Sequence, residues 1–212
     1  MLRRYSFLDK IIAEVDAFVG VMRKEQHASI TSPAKEIQEN ELTSNEQKHV
    51  SGLMRVDHTG EVCAQALYRG QAMVAKDVQT QMHLYHAAEE EQDHLAWCQE
   101  RLDQLDASPS LLNPLWYLGS FAIGATAGLI SDKISYGFVV ETEKQVMNHL
   151  DHHLKTLPPH DKRSQAILQQ MYMDELKHAN EAKIAGGVDL PLPIRLIMKV
   201  QSKVMTTIAY RI

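Results

Sequence analysis

Two cysteines, Cys63 and Cys98, in 212 residues are too few for a disulfide framework, and neither stands in a CxxC. A disulfide-stapled secreted scaffold is excluded, and a reducing compartment is expected. Basic residues are also short: 22 Lys and Arg stand against 27 Asp and Glu, a formal net charge of -5, with no cationic cluster for a phosphate backbone. Nucleic acid is excluded as the main partner. No glycine-rich nucleotide loop is present, and strand-type alternation is missing throughout, which leaves an all-α class. The start, "MLRRYSFLDKIIAEVDAFVG", has Arg3 and Arg4 but lacks an unbroken apolar core, because Asp9, Glu14 and Asp16 interrupt it. It reads as a retained, cytoplasmic amphipathic helix that packs on the body.

What is present is a globular balance, 44% hydrophobic and 23% charged. One domain is expected at 46–212, preceded at 1–45 by a loosely attached N-terminal helix and a polar linker around Pro33. A long helix is expected from Thr43 or Ser44 toward Asp77, since "TSNEQ" offers a capping box. A second covers about Gln79 to Leu105. A third opens with Asn113 as its cap and Pro114 in its first position. A fourth spans about Ser131 to Leu157 and stops at two prolines. A fifth runs from about Asp161 to Ala185 and ends at Gly186 and Gly187. "IRLIMKVQSKVMTTIAYRI" forms the last.

Glu91 and His94 interrupt an apolar helical stripe, with Leu84, Ala87, Ala88, Leu95 and Cys98 on the same face. Glu175 and His178 do the same among Leu168, Met171, Ala179 and Ala182. Glu143 sits among Tyr136, Val139, Val140, Val146, Met147 and Leu150, and Glu61 has a more mixed face with Met54, His58 and Tyr68. A lone ionised carboxylate in such surroundings costs several kcal/mol, so it must be protonated, paired or metal-bound. A third Glu-x-x-His, Glu46 with His49, is better read as a helix cap. The spacing repeats: 30 residues separate Glu61 from Glu91 and 32 separate Glu143 from Glu175, and each lone Glu is followed by a Glu-x-x-His. In antiparallel hairpins with turns near residues 76 and 159, both halves bring their acids to one level. Four carboxylates and two imidazoles in one bundle core are the ligand set of a di-iron or di-manganese centre. Asp174 and Glu90, each just before a Glu-x-x-His glutamate, are placed to reach the ring N–H of the other half's histidine: Asp174 toward His94, Glu90 toward His178. Glu89 and Asp93 read as solvated or peripheral.

The stretches "GLMRVDHTGEVCAQALYRGQ", "EEQDHLAWC", "LLNPLWYLGSFAIGATAGLISDKISYGFVVETEKQVMNHLDHHL" and "DELKHA" resemble the bacterial demethoxyubiquinone hydroxylase family of ubiquinone biosynthesis, from about residue 50 to the end. The resemblance implies a ferritin-like antiparallel four-helix bundle with additional apolar helices, in which residues 46–212 form a di-iron hydroxylase domain. It implies two Fe ions and O2 as co-substrate, with electrons from NADH or a partner reductant. The implied substrate is 2-polyprenyl-3-methyl-6-methoxy-1,4-benzoquinol. Carried over residue by residue, the ligands fall on Glu61, Glu91, His94, Glu143, Glu175 and His178, with Glu91 and Glu175 bridging and Glu61 and Glu143 terminal. His149 falls on a family position near the iron site, where the plainer reading is a helix-surface histidine. These four glutamates and His149 are the expected catalytic residues. A membrane surface and other ubiquinone-biosynthesis proteins are the implied partners, at the cytoplasmic face of the inner membrane, with a homo-oligomer left open.

From Leu111 to Ile130 no residue is charged, and the length suffices to span a bilayer. A single crossing would separate Glu61 and Glu91 from Glu143 and Glu175. A helix lying against the bundle and dipping into the lipid interface, with Trp116 and Tyr117 at the boundary, keeps the set together. The last helix, with Ile194, Leu196, Ile197, Val200, Val204 and Met205 opposite Arg195, Lys199 and Lys203, is a second such candidate. The competing functions are an iron-handling ferroxidase or store, a radical protein using Tyr68 or Tyr172, and a metal-free structural bundle. A polar iron route would favour the store, and an apolar channel to the metal the hydroxylase.

Overall fold

A computed structural model describes residues 7–212; Arg3 and Arg4 lie outside them. Seven helices occur among the described residues: α1 (Phe7–Val21), α2 (Ser44–Val74), α3 (Val78–Gln104), α4 (Asn113–Ile130), α5 (Asp132–Thr156), α6 (Lys162–Ile184) and α7 (Leu192–Ala209). No strand is found among those residues.

Local chemistry sets most of the boundaries. Thr43 and Glu46 form the expected capping box: the Glu46 N–H donates to Thr43 Oγ1 at 3.3 Å and the Thr43 N–H donates to Glu46 Oε2 at 2.8 Å. Asp77, Ser131 and Asp161 cap α3, α5 and α6 by accepting the backbone N–H of Thr80, Ile134 and Ser164. Gly186, at φ 104°, ends α6 in the left-handed region that a glycine adopts without strain. Asn113 departs from expectation. It is the first residue of α4 rather than its cap, and its buried side chain accepts from Thr59 Oγ1 at 2.9 Å and contacts His58 instead.

Short turns join α2 to α3 and α5 to α6, so two antiparallel hairpins make a four-helix bundle. Its core is layered along the axis. One end packs Val50, Leu53, Met54, Cys98, Leu102, Leu150, Leu168 and Met171. The other packs Leu67, Tyr68, Leu84, Val139, Val140 and Ala182. The polar residues of interest come from the turns of helix between these layers.

α4 lies along α2 at very close range. A Cβ on Gly124 would stand 2.1 Å from the Leu67 carbonyl oxygen, and one on Gly70 would stand 2.2 Å from that of Phe121. α1 and α7 flank α4, through the edge-on Phe18–Tyr117 ring pair and through Trp116 against Met205. α1 is tied to the bundle by Glu14, which receives Arg69 Nε at 2.7 Å and the Tyr85 hydroxyl at 3.0 Å. The polar stretch after α1 is also held. Trp97 Nε1 donates to the Ile30 carbonyl at 3.0 Å, and the fully buried Arg101 joins Glu39 at 2.6 Å to Asp161 at 3.0 Å. Asp93, expected at the periphery, is buried because its carboxylate accepts the backbone N–H groups of Ser29 and Ile30.

Candidate metal centre

Glu61 on α2, Glu91 and His94 on α3, Glu143 on α5, and Glu175 and His178 on α6 meet at one level, each at most 4% exposed. A Glu-x-x-His step places both side chains on one helix face, and the two hairpins bring the two steps opposite each other. His94 Nδ1 lies 3.0 Å from Glu91, 3.2 Å from Glu175 and 3.7 Å from Glu61. His178 Nδ1 lies 3.2 Å from Glu91, 3.3 Å from Glu175 and 4.0 Å from Glu143. Two sets of donor atoms result, Glu61/Glu91/His94/Glu175 and Glu91/Glu143/Glu175/His178, each with its atoms within 4.8 Å of one another. Glu91 and Glu175 belong to both.

The far side of each imidazole is also held. His94 Nε2 faces Asp174 at 3.2 Å and His178 Nε2 faces Glu90 at 3.2 Å, the crossed arrangement expected from the sequence. Each ring is thus turned so that Nδ1 points inward. Lys177 in turn holds Glu90 at 3.1 Å.

The electrostatics show what such a set requires. Among the described residues no lysine or arginine pairs with any of the six. Burial, with the neighbouring carboxylates, holds the Glu61 and Glu143 carboxyls well above their usual range. Burial also acts against the charge of Glu91, but the two imidazoles outweigh it and hold that carboxyl low. Burial disfavours the protonated rings too, yet hydrogen bonds to the surrounding carboxylates push His94 well up and His178 to about 12. Protons are standing in for positive charge. Glu91 Oε1 and Glu143 Oε2 are buried without a hydrogen bond. Four carboxylates would be neutralised by two divalent cations, with both imidazoles then neutral and ligating, so the residues present fit a dinuclear site of hard or borderline metals.

Two features of the site were not read from the sequence. The Tyr68 hydroxyl donates to Glu143 Oε1. Burial, then the charges of Glu143, Glu91 and Glu175, push that phenol well up. In the sequence Tyr68 had stood out as a neighbour of Glu61 on its own helix and, with Tyr172, as a candidate tyrosine for a radical protein; its bond to Glu143 was not foreseen. The second is an apolar cavity walled by α2, α4, α5 and α7, with Glu61 in its lining. Ile123, Phe138, Val146, Met198 and Met205 make it greasy. His149 is part of this wall, not a surface residue, and its Nε2 lies 2.8 Å from Ser202 Oγ on α7. Burial, with His153 nearby, lowers its pKa and favours the neutral ring.

Residues 48–209 match the family described as Ubiquinone biosynthesis protein COQ7. A protein of Francisella philomiragia subsp. philomiragia named 3-demethoxyubiquinol 3-hydroxylase is 61% identical over 210 residues, covering 99% of this chain and all of that protein. A protein of the same name from Francisella tularensis subsp. novicida is likewise 61% identical over the same shares.

Proposed function

This chain belongs to the Ubiquinone biosynthesis protein COQ7 family, and on that premise we propose that it hydroxylates the ring of a demethoxyubiquinol, 2-polyprenyl-3-methyl-6-methoxy-1,4-benzoquinol, with O2 at a pair of irons. The observation that carries the reading is one arrangement: two sets of metal-ligating atoms sharing Glu91 and Glu175, with Glu61 reaching the apolar cavity. A ferroxidase or store needs a polar route for iron, whereas a greasy cavity suits a prenylated ring.

In this reading Glu61, Glu91 and His94 would hold one iron and Glu143, Glu175 and His178 the other, Glu91 and Glu175 belonging to both sets of donor atoms. Bound iron supplies the reductive activation of O2. Asp174 and Glu90 fix the ring orientation and keep the ligating nitrogens facing inward. Tyr68 holds Glu143 by one oxygen. The apolar wall excludes water and positions the ring, and neutral His149, tethered to Ser202, offers a hydrogen bond there. One oxygen atom enters the ring C–H as hydroxyl and the other leaves as water, using two electrons and two protons from outside. NADH or a partner reductant supplies the electrons.

A polyprenyl-tailed substrate would be met at a bilayer, and the proposal puts the chain on its surface, at the cytoplasmic face of the inner membrane. No described helix is long and apolar enough to cross one. The support lies in three outer helices that expose apolar side chains: Leu8, Ile12 and Val15 on α1, Leu115 and Leu118 on α4, and Leu196, Ile197 and Val200 on α7.

The test is reconstitution with ferrous iron under a reductant, followed by a short-tailed demethoxyubiquinol and 18O2. One labelled oxygen in the product is expected. Iron loading with no label in the ring overturns the proposal, and ferric mineral in its place supports iron handling. Glu143→Ala should lower turnover at least a hundredfold while the bundle stays folded.

A further inference from the structure

Two polar atoms in the cavity wall have no partner. Asp57 Oδ2 and Trp116 Nε1 are buried, and neither makes a hydrogen bond. A buried acceptor or donor left in this state costs about 1–3 kcal/mol, more when charged. Asp57 is 5% exposed and stands one turn of α2 before Glu61. Its other oxygen is committed: Oδ1 lies 2.7 Å from Nδ1 of His153, itself buried, on α5. Burial works against a charged His153, but Asp57 outweighs it and raises the pKa, so the ring carries the proton that the carboxylate receives. One oxygen is thus pinned and the other is buried in the cavity wall without a partner.

The two free atoms differ in kind. A carboxylate oxygen only accepts, and an indole N–H only donates. A quinol ring has hydroxyl groups that donate and ring oxygens that accept. The oxidised quinone has only acceptors. We propose that Asp57, held by His153, recognises the reduced ring: Oδ2 accepts the hydrogen bond of a ring hydroxyl while Trp116 Nε1 donates to another ring oxygen, so the cavity takes the quinol in preference to the quinone. The assignment rests on the reading of this cavity as the substrate site. Asp57 and Trp116 are then substrate-binding residues, and His153 is a positioning residue that acts through Asp57.

Anaerobic equilibrium dialysis of the full, Mn(II)-loaded chain against a short-tailed demethoxyubiquinol and, separately, its quinone reads the preference without turnover. A hydrogen bond to a charged acceptor sets the expected ratio at roughly tenfold to a hundredfold in favour of the quinol. Asp57→Asn, which can turn an N–H toward the ring, should bring that ratio near one or reverse it. His153→Gln can still donate to Asp57 and should keep the ratio, whereas His153→Leu should reduce it. Trp116→Phe should weaken both forms alike, because both accept. Helical circular dichroism and Mn(II) stoichiometry identify variants that keep the fold and the centre. Met198→Trp fills the cavity and separates the two ideas. Unchanged binding in that variant overturns the substrate reading and the proposal with it. Lost binding there, with a wild-type ratio in Asp57→Asn, overturns the Asp57 assignment alone.

Discussion

His58 is a buried base placed among groups that do not welcome a proton. Asn113 Nδ2 donates to its Nδ1 at 3.3 Å, and its Nε2 has no hydrogen-bond partner. Burial pulls its pKa down to about 4, only partly opposed by Gln99. The unfolded chain binds a proton there near pH 6.5 while the folded one does not until about 4, so stability present above 6.5 is lost as pH falls through that window. The full loss is on the order of 3 kcal/mol at 1.36 kcal/mol per unit. His58→Gln keeps an acceptor for Asn113 and cannot titrate. Urea unfolding at pH 7 and pH 4.5 should show the variant gaining about 2 kcal/mol or more on the wild type between the two. Equal slopes in both proteins would mean that His58 is freely protonated. Five of the six residues that meet at the centre were legible in the sequence because each breaks an apolar stripe on its own helix, and Glu61, on a mixed face, was legible through the repeated spacing to Glu91. His58 and Asp57 were not read as site or core groups, and Tyr68 was read only as a candidate radical tyrosine, because their partners come from α4 and α5 and no spacing within α2 reveals them.

At the scale of elements, caps and stops made the boundaries readable. Thr43 with Glu46, Ser131, Asp161 and Gly186 each act where their local chemistry predicts. α4 was harder to read, because a helix apolar on every side gives no face by periodicity. The inner face follows from size. Gly124 sits against the backbone of α2, whereas a Cβ at Gly119 would meet nothing within 4 Å. Backbone cannot rotate aside as a side chain can, so Gly124→Ala must push α4 off α2. A destabilisation of roughly 1–3 kcal/mol is expected, read as a fall of several degrees in melting temperature. Gly119→Ala should be neutral or stabilise by up to about 1 kcal/mol, since alanine loses less chain entropy in a helix. A Gly124→Ala protein that melted with the wild type would mean that the two helices have room to spare.

The whole molecule joins an interior whose four central carboxylates have no lysine or arginine partner among the described residues to a greasy exterior on its outer helices. α4 touches α1 through Tyr117 and α7 through Trp116, so the three helices adjoin, and α4 and α7 both wall the cavity. Leu196, Ile197 and Val200 are 52%, 66% and 64% exposed on α7, which also carries Arg195, Lys199 and Lys203. That pairing of apolar and basic residues suits insertion at an anionic bilayer surface, where the ammonium groups stay at headgroup level while the aliphatic ones sink. Each fully buried aliphatic side chain contributes roughly 1.5–3 kcal/mol, and three together outweigh the loss of free tumbling on a surface. Full-length protein is therefore expected to float with vesicles of phosphatidylglycerol and phosphatidylethanolamine. The triple change Leu196→Ser, Ile197→Ser and Val200→Ser should cut the floated fraction at least tenfold, with the helical signal largely kept because each side chain is more than half exposed. Raised salt should weaken binding of the wild type but not abolish it, since screening touches only the basic share. Flotation of the triple variant at wild-type levels would remove α7 from the bilayer contact and leave α1 and α4 as its remaining apolar faces.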